Sequence, residues 1–213
     1  MHLAADHPAS ALDDVREGMA GWTSRGYHAQ HSWELYARGE IDLYCGNGLD
    51  AWKRIQEHWT PLRRSLLLRI QAVRIEWLYL RARSALAAAR TAGAPSQVRT
   101  LVAAAQRDAA RLSRERSGWA AALAGLILSG TASLTGDRES AITQLQSAEP
   151  AFQELSMHLH RAVSLRRRGE LLRGSQGAEF ALVRRADEWL AAQGIRNSAR
   201  MADMLAPGNF AER

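Results

Sequence analysis

The chain has 213 residues, a formal net charge of +6, 46% hydrophobic and 23% charged residues. That balance excludes disorder as the default state, and at this length about 70% of the unfolded surface can be buried. Cys45 is the only cysteine, which excludes an intrachain disulfide and any CxxC site. Met1 to Ser10 has no apolar core and carries Asp6 and His7, which argues against a signal peptide. The longest apolar-rich run, Trp119 to Leu128, is broken by glycine and is short for a bilayer, so a cytoplasmic protein is expected.

Ala and Leu dominate, and no segment alternates with period two, so helices are expected and no sheet. Leu12, Val15, Met19 and Trp22 recur at three- and four-residue steps and predict a first helix from Pro8 to Trp22. It has the look of the second half of a pair, so residues 1–26 read as a half repeat. Tyr27 to Tyr44 is the next helix, closed by Cys45-Gly46-Asn47-Gly48; Gly39 leaves room for a neighbouring helix. Leu49 to Trp59 returns with Trp52, Ile55 and Trp59 on one face. Thr60-Pro61 predicts a sharp restart, with Thr60 as N-cap and Pro61 at the first helical position. From Leu62 to Arg90 two apolar stripes predict an inner helix packed on both sides, with Arg69, Glu76 and Arg83 on an exposed line every seven residues.

Gly93-Ala94-Pro95-Ser96 starts another helix that ends near Arg116, with Leu101, Ala104, Ala105, Asp108 and Leu112 on its packed face. Trp119 to Leu134 is the most apolar helix. Gly136-Asp137 is the cleanest turn, with Asp137 as N-cap of a helix to Leu155 that Pro150 should kink or split. Met157 to Arg173 and Gly177 to Gln193 form a last pair. Asn197 caps a short terminal helix with Met201, Met204 and Leu205 inward, ended by Pro207-Gly208.

About nine helices, antiparallel between neighbours, are therefore expected. Glycines 46, 93, 136 and 174 separate amphipathic stretches at intervals of 47, 43 and 38 residues, against 34 in a strict tetratricopeptide array. The fold expected is an all-α, divergent tetratricopeptide-like α-solenoid. It forms one domain over 1–213, with repeat pairs in 27–193 and a capping helix and tail in 194–213.

Catalytic motifs are missing. Lys53, the sole lysine, sits in Ala51-Trp52-Lys53-Arg54, so there is no phosphate-binding P-loop. His160-Arg161-Ala162 lacks the Asp of a kinase catalytic loop, and no G-x-S-x-G or H-E-x-x-H occurs. His28 and His31 could share a helical face, but neither they nor His158 and His160 have companions that would complete a metal site. No cofactor and no metal are expected, and the chain is read as a non-enzyme.

The remaining candidate surface is arginine. Arg63, Arg64, Arg74 and Arg81 fall on the predicted long helix, and Arg166, Arg167, Arg168 and Arg173 on a later one. They read either as a solvated edge paired with Glu76, Glu170 and neighbours, or as a groove for an acidic peptide on parallel inner helices. The seven tryptophans fall mostly on apolar stripes and read as packing residues.

Two stretches carry a resemblance: Pro61-Leu62-Arg63-Arg64-Ser65-Leu66-Leu67-Leu68-Arg69-Ile70-Gln71, and Ala186-Asp187-Glu188-Trp189-Leu190-Ala191-Ala192-Gln193-Gly194-Ile195 through to Pro207-Gly208. From about Trp22 onward the chain resembles the tetratricopeptide-like C-terminal region of large multidomain bacterial serine/threonine protein kinases. The resemblance implies the non-catalytic tail, as a detached or truncated piece, and carries no functional residue across. The function expected is protein–protein interaction or scaffolding. Nucleic-acid binding through the arginine faces is the alternative, and a small-molecule pocket between helices is a third reading.

Overall fold

The computed structural model describes residues 1–23, 27–172 and 177–211, which form ten α-helices and no strand. In order they are α1 (Pro8–Met19), α2 (Ala29–Tyr44), α3 (Gly48–Arg64), α4 (Gln71–Thr91), α5 (Pro95–Ser113), α6 (Gly118–Thr135), α7 (Arg138–Glu154), α8 (His158–Leu171), α9 (Ala178–Ala192) and α10 (Ser198–Leu205). Each helix from α1 to α8 packs against its successor, and α4 also touches α2 and α6. The predicted turn glycine 174 and Arg173 lie outside the described residues.

Several turns follow directly from their residues. Gly136 closes α6 at φ 82°, a conformation that a side chain would strain. Asp137 then accepts the Ser140 amide at 3.0 Å and so caps α7. Asn197 caps α10 in the same way through the Arg200 amide at 3.1 Å. Gly46 ends α2 at φ 81°, whereas Gly48 serves close approach: a Cβ there would lie 2.4 Å from Ala87 Cβ on α4. Gly39 likewise faces Leu80 of α4, where an added Cβ would meet Cδ2 at 3.1 Å.

The break predicted at Thr60-Pro61 is not there. The helix α3 runs through Pro61 to Arg64, and the chain reverses only at Leu66, with φ 65°, before a 3-10 turn at Leu67–Arg69. Leu62 is fully buried and holds the last turn of α3 against the core, while Glu57, whose carbonyl loses its amide partner, sits on the exposed side. Arg63 and Arg64 thus belong to α3 and not to the helix of Arg74 and Arg81. Pro150 does not split α7 for the same reason, since Pro150 and Gln146 are both exposed. Leu66 and Ile70, which fall within the inner helix predicted from Leu62 to Arg90, are exposed in the turn.

The central helix α4 is buried all round from Trp77 to Ala89, apart from partly buried Arg81 and Ala87. Arg83, expected on an exposed line, is 1% exposed. Its guanidinium spans the Glu40 carboxylate of α2 at 3.0 and 2.5 Å and also donates to the Met204 carbonyl at 3.0 Å. Burying an arginine is tolerable only with that set of acceptors. The most apolar helix, α6, has 18 residues and is long and apolar enough to cross a membrane by length and composition, unlike the shorter run read from the sequence. Most of it is buried against α4, α5 and α7, as a core helix would be.

The C-terminal segment is the last layer. The helix α10 touches α2, α4, α8 and α9, and Met201, Met204 and Leu205 are buried as expected. Its frayed carbonyls are taken by side chains: Tyr79 Oη donates to Leu205 and Arg167 Nε to Ala206, at 2.5 and 2.9 Å. Those are the orphan acceptors of a helix end, satisfied from neighbouring helices. At the other end Asp6 accepts from Tyr44, Asn197 and Arg200, which ties the first residues to the start of α10.

Candidate functional site

The helices α3, α4 and α5 enclose an open cleft of ≈ 750 Å³. Trp52, Trp59 and Arg63 come from α3; Arg74, Leu78 and Arg81 from α4; Arg107, Arg111 and Arg114 from the end of α5 and just beyond. Six arginines thus line one cleft, against Glu115 at its edge and Asp108 behind Arg81.

The arginines divide into two kinds. Arg81 is held in a fork by Asp108, with Nε and Nη2 at 2.7 and 2.5 Å, and its guanidinium carbon lies 3.7 Å above the Trp59 ring. Asp108 is 1% exposed, so this pair is desolvated and fixes α4 to α5. Arg74 grips Glu115 with two bonds of 2.6 Å and donates to the Leu68 carbonyl at 2.8 Å, which pins the turn after α3. That grip holds the Glu115 carboxyl below the usual range, chiefly through the hydrogen bond from Arg74. Arg74 and Arg81 are therefore floor and framework.

Arg63, Arg107 and Arg114 are exposed and have no carboxylate partner among the described residues; Arg111 reaches Asp108 only at 3.4 Å. Arg63, Arg107 and Arg114, with Arg111 paired at 3.4 Å to Asp108, form a rim of excess positive charge above a floor of Trp52, Trp59 and Leu78. Guanidinium forks around an aromatic floor suit planar anions such as carboxylates, and the net field favours an acidic ligand.

The second predicted cluster is not a free surface. Arg166 bonds Glu170 and, at 2.9 Å, Asp187. Arg167 is 4% exposed; it bonds Glu170 at 2.7 Å and Asp203 at 2.6 Å, and lies 4.9 Å from the Phe210 ring centre. Asp203 also takes Arg90 at 2.9 Å, and Arg167 and Arg90 together hold its carboxyl below the usual range against burial. This network latches the C-terminal segment to α8 and α4. Arg168 sits 3.1 Å from Glu149, with both side chains largely buried. Arg64 is exposed but outside the cleft, and Arg173 lies beyond the described residues. The predicted groove on parallel inner helices is thus corrected: Arg63, Arg74 and Arg81 share a cleft with α5, and Arg166 to Arg168 serve packing.

The sequence reading overlooked Arg107, Arg111 and Arg114. Their spacing of four and three residues is one helical face, a signal that was legible. Among the described residues the expected pairing with Glu76 does not occur, whereas that with Glu170 does. His31 Nδ1 accepts the His28 amide at 3.0 Å and so helps cap α2. Among the described residues no three His, Cys, Asp or Glu side chains are grouped to hold a metal ion. No protein-family model matches the chain, and neither a curated protein nor a solved structure does.

Proposed function

We propose that the chain is a non-catalytic interaction module whose cleft between α3, α4 and α5 receives an acidic segment of a partner protein. The observation that carries this reading is the rim of Arg63, Arg107, Arg111 and Arg114 above Trp52 and Trp59, charged in excess of every local carboxylate. In this reading α2 to α9 form four helix-turn-helix pairs of a divergent tetratricopeptide-like solenoid. The contacts of α4 with both α2 and α6 support that arrangement. A place beside a bacterial signalling kinase rests on the sequence resemblance, and a cytoplasmic location on the lone Cys45 and the composition of the first ten residues. Affinity capture from the native host with the wild type and with a variant carrying Arg63→Glu, Arg107→Glu and Arg114→Glu tests the proposal. A partner with an acidic stretch should be retained by the wild type only; equal retention by both proteins contradicts it.

A further inference from the structure

A second cavity, of ≈ 420 Å³, lies on the opposite side of α4, among α2, α6, α8 and α10. That is within the range of small-molecule pockets. Leu123, Met157, Met204 and Leu205 make its wall apolar, and Tyr36 and Trp119 add aromatic rings. Its charge is unbalanced. Glu40 and Arg83 form a forked pair, Arg83 Nη1 also donates to the Met204 carbonyl, and Arg83 Nε is buried without a hydrogen-bond partner among the described residues. Glu76, exposed beside them, has no cation within salt-bridge distance among the described residues. Partial desolvation and the Glu40 charge push the Glu76 carboxyl up. Arg83 is taken by Glu40, and the other base that lines the cavity, His160, cannot supply a counter-ion: burial first, and then Arg83, depress its pKa to about 4.

We propose that this cavity binds an organic monocation with an apolar body, its cationic head at Glu76 and its body against Tyr36, Trp119 and Leu123. The head gains a carboxylate, which attracts an ammonium group by a charge-assisted hydrogen bond. The body lies along the apolar part of the wall, formed by Leu123, Met157, Met204 and Leu205. This site is separate from the basic cleft, and the two stand or fall independently.

Calorimetric titration with hexylammonium and, as its charge-inverted match, hexanoate tests the proposal on the full chain. Saturable binding of hexylammonium is expected, with hexanoate binding at least tenfold more weakly. Glu76→Gln, at an exposed position, should weaken hexylammonium about tenfold with an unchanged melting curve. Met157→Trp should fill the cavity from a half-buried position and abolish binding. No saturable binding of hexylammonium, equal binding of the two ions, or wild-type affinity in either variant would each overturn the proposal.

Discussion

Replacing Gly130 by alanine tests the docking of the C-terminal segment, because Gly130 is where that segment crosses α6. A Cβ at Gly130 would lie 2.4 Å from the Pro207 carbonyl oxygen and 2.8 Å from Leu86 Cδ1. Relaxed carbon–oxygen contacts lie near about 3.3 Å, so the segment would retreat by about 0.9 Å. It is poorly free to do so: Ser133 Oγ accepts the Asn209 amide at 3.1 Å, and Arg167 holds Ala206. Overpacking of this kind costs about 1–3 kcal/mol. A glycine-to-alanine change inside a helix returns about 1 kcal/mol. Since backbone rather than a flexible side chain obstructs, a net loss of about 2 kcal/mol is expected. For a chain of this size the melting temperature should fall by about 4–8 °C. Gly125→Ala on the same helix is the control, because its Cβ would meet Ala148 Cβ at an ordinary 3.4 Å; it should be neutral or slightly stabilising. Thermal melts decide the comparison, with hydrogen exchange of residues 204–210 locating the effect. Equal melts for the two variants, or unchanged exchange in Gly130→Ala, would refute the docking geometry.

Other outcomes follow from the same packing. Ala141 is fully buried on α7, so Ala141→Glu should lose several kcal/mol, on the order expected for an unpaired buried carboxylate; a wild-type melt would contradict this. Arg168→Glu, which a solvated-edge reading expects to be harmless, should destabilise by more than Arg168→Met, because it sets a second carboxylate against half-buried Glu149; identical denaturant midpoints would count against the contact. His160 has a folded pKa depressed to about 4, below its unfolded value, so the unfolded chain binds its proton first. Its contribution is complete above the unfolded value of about 6.5 and is lost as pH falls toward 4, on the order of 3 kcal/mol. The stability difference between wild type and His160→Gln should shrink across that window, and a pH-independent difference would reject the burial of a neutral ring. Purified protein should turn over neither ATP nor a phosphoacceptor, checked by steady-state assays through successive purification steps.

Local signals were legible in the sequence wherever a few neighbouring residues decide the geometry. Gly136-Asp137 and Asn197 carry their turns and caps in their own chemistry, and Leu101, Ala104, Ala105 and Leu112 show their buried face by spacing. Thr60-Pro61 misled because burial of Leu62 outweighs a single missing amide bond, so packing decided where α3 ends. Arg83 misled because a seven-residue charge pattern cannot reveal that Glu40, on another helix, waits opposite. The cleft was half visible: its rim on α5 has helical spacing, but its assembly with Arg63 and the two tryptophans depends on how three helices meet. Arg166, Arg167 and Arg168, being consecutive, point in directions about 100° apart on a helix and so could not form one patch.

The most direct measurement is fluorescence anisotropy of a labelled glutamate-rich peptide across a salt series, beside random duplex and single-stranded oligonucleotides. The peptide should bind the wild type saturably at physiological salt and lose at least tenfold in affinity with Arg63→Glu, Arg107→Glu and Arg114→Glu combined. Arg167→Glu, which breaks the latch, should instead lower the melting temperature without moving the binding midpoint below it. The oligonucleotides should bind weakly and lose binding with modest salt. Tight nucleic-acid binding that survives physiological salt, or peptide affinity indifferent to the three rim arginines, would contradict the assignment of the α3–α5 cleft to an acidic protein partner.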